Sequence, residues 1–338
     1  MAAAQLSRTR IKPALFKAET TYGTDPTLAG GTDDVTLINS DDPIKPDFEG
    51  IPVRPHGASF THTIKDIIGK RKTRVDCSFL MQGASVLPVT TTVPAVNGFT
   101  GNMAAWKSCG CTVTAAASTT VTIKPSTVAA LESVYTKIEE NGILWAIAGM
   151  YGNIRMSGGT GQPGVVCAYS GTGKYIEPTK ATVSGFVGPD RSEPALSVTA
   201  SITPSGGSAY NAADGLILDN FTLDLGTQVN DVDDITEATG LEKLLFTDRR
   251  PTMQVVIAQD AHDTSALDFD EIFGDLTGRV VHAVSIAWGT TPNLFTLAGP
   301  TAQLINATPG SKNGYKTLTL DYFLQHATAE TEWSITIT

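Results

Sequence analysis

The stretch Val134–Ala148, VYTKIEENGILWAIA, is typical of a β-hairpin. Its central Asn141-Gly142 pair favours the two positive φ angles of a type I′ turn, which joins neighbouring antiparallel strands. After the turn, Ile143 and Ile147 share one face with a tryptophan, while small alanines occupy the other. Both faces therefore carry apolar groups, which predicts a buried hairpin.

Strand-like alternation recurs along the chain. Thr, Val, Ala and Gly dominate, and Gly or Pro interrupts nearly every window, so long helices are disfavoured. The clearest alternating stretches are Val75–Phe79, Leu196–Ala200, Phe221–Leu225, Thr317–Tyr322 and Trp333–Ile337. Together they predict a mainly β protein.

Two short helices are expected among the strands. Asn102 can cap a helix from Met103 to Cys109 that Gly110 stops. Ser265 similarly precedes a segment in which Phe269, Ile272 and Phe273 share one face before Gly274. Each spans about two turns, so packing of its apolar side must hold it in place.

The order of predicted strands, helices and short sequence patterns is weakly repeated in the two halves of the chain. A basic segment, a strand at Val75, the first helix, Ala148-Gly149 and strands through Ile154 and at Thr182 are followed by a similar series. That second series runs Asp248–Pro251, Val255, the second helix, Ala298-Gly299, Leu304 and Leu318. We predict two similar β domains, residues 1–210 and 211–338, joined by the turn-rich 204–215 stretch.

Charge is distributed unevenly around a net value of −10. Residues 211–275 hold fifteen Asp or Glu against three basic residues, whereas residues 50–74 hold six Lys or Arg against one Asp. Either these are two solvated surfaces, or the basic segment of one copy meets the acidic segment of the next. No basic footprint for gripping nucleic acid is present.

Catalytic and metal-binding patterns are incomplete. Gly159–Gly164 has dinucleotide-motif spacing, but Pro163 stands where a helix should begin. Gly171–Lys174 resembles the end of a phosphate loop but is followed by Tyr175. His262 lies among aspartates without a nucleophile motif, which leaves a hydrolase the weakest alternative.

Metal sites are also poorly supported. Asp231–Asp234 gathers carboxylates but lacks the glycine and glutamate of a calcium loop, so an acidic loop is the default interpretation. Four cysteines are expected to be reduced and buried, and Cys109-Gly110-Cys111 lacks the second pair of a zinc site. We predict no cofactor and no enzymatic activity.

The segment Phe16–Thr27, FKAETTYGTDPT, resembles the opening of tail tube proteins, also called major tail proteins, of bacteriophages with long non-contractile tails. Later stretches agree with that family in their order along nearly the whole chain, although none is diagnostic alone. They are Ile44–Pro46 through Val53–Pro55, Trp106–Gly110, Asn141–Gly152, Asp224–Gly226 and Thr247–Thr252.

The resemblance implies β-sandwich or barrel-like domains, each with a flanking helix, that close into stacked rings of three or six chains. DNA would pass through the lumen without sequence-specific binding. Partners would be further copies and the tail tape measure, tail terminator and distal tail proteins. The protein would be assembled in the host bacterial cytoplasm and reside in the virion tail.

Two polar stretches, Asp41–Lys72 and Gly226–Arg250, are interpreted as arms that contact neighbouring subunits or rings. The candidate contact residues are Arg54, Lys70, Arg71, Lys72, Asp231, Asp233, Asp234, Arg249 and Arg250. The alternative function is a virion β-sandwich module that binds a carbohydrate or receptor, which requires clustered exposed aromatic residues. No run of apolar residues is long enough for a membrane helix, and we expect a soluble protein.

Overall fold

The structure, a computed structural model, is mainly β, with two short helices among the residues that it describes. It describes residues 12–38, 42–51, 67–83, 88, 92–94, 99–117, 119–127, 129, 131–159, 162, 164–187, 198–205, 209–211, 216–258, 269–326 and 328–338. Neither described helix is long and apolar enough to cross a membrane.

The elements of the first part of the chain are β1 (Ala14–Ala18), β2 (Asp34–Val35), β3 (Leu37–Ile38), β4 (Ile44–Ile51), β5 (Ile67–Leu80), α1 (Phe99–Ser108), β6 (Cys111–Ala116), β7 (Thr120–Pro125), β8 (Val134–Glu140), β9 (Ile143–Gly159), β10 (Val166–Tyr175) and β11 (Thr179–Lys180). Those that follow are β12 (Val198–Pro204), β13 (Tyr210–Asn211), β14 (Ile217–Asp224), β15 (Thr227–Asp233), β16 (Leu241–Arg249), β17 (Thr252–Ala258), α2 (Phe269–Gly278), β18 (Val281–Trp288), β19 (Phe295–Lys312), β20 (Tyr315–Leu324) and β21 (Ser334–Ile337).

Two sets of antiparallel strands pair in the same order. The first set runs β4·β5·β10·β9·β8·β1·β2. The second runs β14·β17·β20·β19·β18·β12·β13. Corresponding strands also follow one another in the same order along the chain, and each helix lies between the corresponding strands β5 and β8 or β17 and β18.

The two sets are joined directly. The C-terminal part of β9 pairs with β14, with Arg155 opposite Asp224 and Gly159 opposite Asn220. At a second junction β21 pairs with β19 on one side and with β7 on the other. All described strands except β15 and β16 therefore belong to one hydrogen-bonded sheet system.

A continuous apolar core fills the space beneath these strands. Trp106 on α1 lies 5.9 Å from Trp333, measured between ring centroids, and both are buried. Phe221 on β14 similarly lies 5.5 Å from Trp288 on β18. These large rings each remove extensive apolar surface from water, so they hold the helix and the joined strands together.

The predicted hairpin is confirmed as β8 and β9, and Asn141 and Gly142 both have positive φ angles, 53° and 77°. Its predicted burial is wrong at the tip. Ile143 is 45% exposed, and full burial begins only at Ile147. The tip extends beyond the core, so its apolar alternation does not correspond to a covered surface there.

Other local predictions were partly wrong. Asn102 lies inside α1 instead of capping it, and its side-chain amide donates to the Leu80 carbonyl at 3.1 Å. Gly274 lies inside α2, which continues to Gly278. Ser265 lies outside the described residues.

The strand predicted at Thr182 is absent, since residues 181–183 are irregular, and β10 occupies the corresponding place. The Gly171–Lys174 stretch is part of β10 and not a loop. A Cβ at Gly171 would lie 2.3 Å from the Tyr169 hydroxyl, and one at Gly173 would lie 2.4 Å from an Ile147 methyl. Close packing thus explains glycines that resembled a phosphate loop.

Candidate functional site: a charged arm docked on strand β5

Strands β15 and β16 form a separate two-stranded hairpin, which we call the acidic arm. It leaves the sheet between β14 and β17, where Gly226 has a φ of +59°. A Cβ at Gly226 would lie 2.3 Å from the carbonyl oxygen of Arg250, and the Arg250 N–H donates to the Gly226 carbonyl at 3.1 Å. The base of the arm therefore requires glycine both for its backbone angle and for space.

The acidic arm contacts the basic part of β5 in the same chain. The ammonium of Lys70 lies 2.9 Å from Asp231 Oδ2 and 2.7 Å from Asp233 Oδ1. Lys72 adds a contact of 3.2 Å to Asp231. Just outside this cluster, the Arg71 N–H donates to the Thr239 carbonyl at 2.9 Å, so main-chain bonding reinforces the ion pairs.

The pKa values of Lys70 and Asp231 reflect their ion pairing. Hydrogen bonds to Asp233 and Asp231 raise the pKa of Lys70. Partial burial opposes ionisation of Asp231, but hydrogen bonds from Lys70 and Lys72 outweigh it and lower the pKa of Asp231. The contact is therefore strongest where Lys70 and Asp231 are both ionised, and it weakens as acid protonates Asp231.

A hydrogen bond to the hydroxyl group of Tyr22 holds the middle of the acidic arm. The Leu244 N–H on β16 donates to the Tyr22 hydroxyl oxygen at 2.7 Å. Burial raises the pKa of Tyr22 to about 12, so this phenol stays neutral at physiological pH. Tyr22 packs against Gly149, where a Cβ would approach its ring to 2.4 Å.

Arg249 anchors the base of the arm. Its guanidinium donates to the Ser126 carbonyl at 2.9 Å and to Glu332 Oε1 at 3.1 Å. Both ionic side chains are largely buried, with exposures of 20% for Arg249 and 11% for Glu332. Arg249 thus connects β16 to the segment after β7 and to the segment before β21.

The structure brings four of the predicted contact residues together, Lys70, Lys72, Asp231 and Asp233, and it does so within one chain. The predicted pairing between copies stays a prediction. The other candidates make different contacts. Arg71 follows Lys70 on β5, Arg249 binds Ser126 and Glu332, and Arg250 lies over the Phe323 ring at 5.4 Å. Asp234 is exposed and accepts hydrogen bonds from Thr236, and Arg54 is outside the described residues.

Asp231 and Asp233 lie on strand β15 and not in the predicted acidic loop, and both contact the Lys70 ammonium. Among the described residues, no group of three or more His, Cys, Asp or Glu is arranged to hold a metal ion. All four cysteines are buried, as predicted, and burial raises the pKa of the Cys77 thiol to about 12. His262 lies outside the described residues.

Sequence reasoning missed a buried polar group between α2 and the sheet. His282 on β18 is fully buried, with Nδ1 3.1 Å from the Tyr322 hydroxyl and Nε2 3.1 Å from Asp275 Oδ2. Asp275 lies 7 residues before His282, and Tyr322 lies 40 residues after it. This spacing matches no motif that we searched for in the sequence, so only the fold identifies the group. These contacts link α2 to β18 and β20.

No protein-family model matches this chain, and no curated protein matches it. Among solved structures, the chain is similar to one from the cryo-EM structure of the anti-feeding prophage baseplate, 6-fold symmetrised. That alignment has 12% sequence identity and a TM-score of 0.26, and it covers 40% of this chain and 95% of the other. Similarity at this level defines neither a shared fold nor a shared function.

Proposed function

We propose that this chain is a structural subunit of a bacteriophage tail tube, which forms stacked rings around a channel that conducts DNA. The sequence resemblance to tail tube proteins supports this proposal over nearly the whole chain. In this role the protein has no catalytic activity and no cofactor. Its partners are other copies, the tape measure, terminator and distal tail proteins, and it resides in the virion tail.

One observation carries the proposal, namely the strand order that occurs twice. The orders β4·β5·β10·β9·β8·β1·β2 and β14·β17·β20·β19·β18·β12·β13 are best explained as two copies of one structural unit. On this basis the second unit begins at β12, slightly before the residue 211 boundary expected from the sequence. A chain with two such units can supply two positions of a ring.

The polar arms support the same interpretation. In the first unit the segment 52–66 separates β4 from β5, and in the second the acidic arm separates β14 from β17. The segment 52–66 thus has the same place in the chain order as the acidic arm, whereas most of the described part of the predicted arm Asp41–Lys72 belongs to β4 and β5. Because the acidic arm already folds onto β5 of the first unit, we propose that it connects neighbouring units within a ring.

Electrostatics favour a channel that does not retain DNA. The chain has 34 Asp or Glu residues against 24 Lys or Arg residues. A basic wall would bind the phosphate backbone by counterion release, whereas an acidic or neutral wall lets it slide. We therefore propose that the lumen is not net positive.

Negative-stain electron microscopy of purified protein at high concentration tests the proposal. We expect rings or tubes with a central hole, and image averages will count the units in each ring. Light scattering after size-exclusion chromatography provides the solution mass of the same sample. A protein that remains monomeric in both experiments contradicts the proposed function.

The carbohydrate- or receptor-binding alternative predicts a different result. It requires specific retention on a glycan array and no polymer. No cluster of exposed aromatic residues beside a polar pocket occurs in the part of the chain that the structure describes.

A further inference from the structure

Among the strand edges of the sheet system that have no partner in the described residues, those on β4 and at the end of β19 are long. Strand β4 pairs with β5 along one edge, and no described strand pairs with its other edge. Strand β19 pairs with β20 as far as Lys312, but its opposite edge pairs with β18 only as far as Gln303. No described strand therefore pairs with this edge of residues 305–312.

The corresponding strand of the first unit is paired along most of both edges. One edge of β9 pairs with β10, and the N-terminal part of its other edge pairs with β8 as far as Met150. The C-terminal part, Arg155–Gly159, pairs with β14. The strand that corresponds to β9 is β19, and the strand that corresponds to β14 is β4.

We infer that β4 of one copy pairs antiparallel with residues 305–312 of β19 in the next copy. This pairing would repeat the β9·β14 junction between chains, and it rests on the proposed ring-forming function. The contact is heterologous, because a different surface is used on each copy. Repeated around an axis, such a contact either closes into a ring or continues as a filament.

Exposure at both edges supports this partner. Residues Lys45–Ile51 of β4 are all exposed, including Phe48 and Ile51, each 46% exposed. On β19 the large apolar residue Ile305 is 48% exposed. Open edges that carry exposed apolar side chains favour strand addition, and a monomer normally protects them.

A proline limits the hydrogen bonds that the open edge of β4 can form. The Asp76 N–H donates to the Pro43 carbonyl at 2.8 Å, so residue 43 directs its main-chain groups toward β5. Since these directions alternate, Ile44 and Pro46 direct theirs outward. Pro46 has no N–H to donate, which restricts pairing to a partner that tolerates one missing hydrogen bond.

Disulfide trapping tests the contact directly. Double variants would combine Lys45→Cys, Asp47→Cys or Glu49→Cys on β4 with Thr308→Cys or Ser311→Cys on β19. Directly opposite residues in an antiparallel pair have Cβ atoms about 4.5–5.5 Å apart, close enough for a disulfide after small adjustments. The four native cysteines are buried and should not compete.

Assembled protein would be oxidised mildly and separated on a non-reducing gel. For at least one double variant we expect most of the 35.5 kDa band to shift to multiples that end at one limiting species, the closed ring. Each single-cysteine variant and the pair Asp47→Cys with the exposed Ala329→Cys should remain at monomer mass. Circular dichroism would confirm that all variants fold.

The outcomes separate this inference from the proposed function. Rings or tubes that form normally but give no cross-link above the control in any double variant overturn the β4·β19 contact and leave the tube assignment standing. A chain that never assembles overturns both.

Discussion

Removing the charge of Asp231 should loosen the acidic arm. Asp231 accepts contacts from Lys70 at 2.9 Å and Lys72 at 3.2 Å, and its side chain is 24% exposed. Exposed ion pairs contribute up to about 1 kcal/mol, and hydrogen bonds to charged groups about 1.5–3 kcal/mol. For this intermediate exposure we expect Asp231→Asn to cost about 1–2 kcal/mol of arm stability.

Hydrogen exchange measured by mass spectrometry is the appropriate assay, because the arm can open without global unfolding. The expected loss corresponds to roughly 5- to 30-fold faster exchange in β15 and β16. Asp47→Asn is a matched control, since Asp47 lies 3.8 Å from Lys72 and is 62% exposed. It should change exchange by less than about twofold.

The pH dependence provides an independent check. The pKa of Asp231 is lowered in the folded protein, so its stabilisation is present above the unfolded pKa of about 3.9 and is lost as pH falls through the folded value. The difference between wild type and Asp231→Asn should therefore be large at pH 7 and shrink below pH 4. Equal effects of Asp231→Asn and Asp47→Asn at pH 7, or a difference that persists in acid, would refute the reasoning.

Three further predictions test the fold. Tyr322→Phe removes the hydroxyl partner of buried His282, and thermal unfolding should reveal a loss of about 1–3 kcal/mol; an unchanged melting temperature would mean that another group satisfies the ring. Arg249→Met leaves a buried carboxylate unpaired and should cost about 3–5 kcal/mol in denaturant unfolding, with Arg249→Lys retaining part of this stability. Gly149→Ala should lower stability by at least about 2 kcal/mol through its clash with a tyrosine ring, whereas Gly142→Ala, which has open space, should cost only about 1 kcal/mol; equal losses would exclude the clash.

Local patterns in the sequence predicted much of the strand content. The Asn141-Gly142 turn is set by the backbone preferences of two adjacent residues, so it could be recognised without knowledge of the fold. Alternation likewise located β14, β20 and β21. Errors occurred where tertiary contacts decide the outcome, as at Asn102, whose side chain bonds to a distant carbonyl and does not cap its helix.

The candidate site was less predictable. Sequence identified the basic and acidic segments by charge, but charge sign alone cannot distinguish a partner in the same chain from one in another copy. Lys70 and Asp231 are 161 residues apart, and the path between them depends on the complete sheet system. The open edges of β4 and β19 depend on strand order, which single-sequence patterns do not specify.

Strand β21 has a consequence for folding during synthesis. Ile335 pairs with Ile123 on β7, a separation of roughly 210 residues, and contacts this distant in sequence form late. The ribosome must translate the whole second unit before β7 can acquire this neighbour. Until then the β6–β7 hairpin has an unprotected edge, so rapid overexpression should favour aggregation of nascent chains, and slower translation or added chaperones should increase the soluble yield.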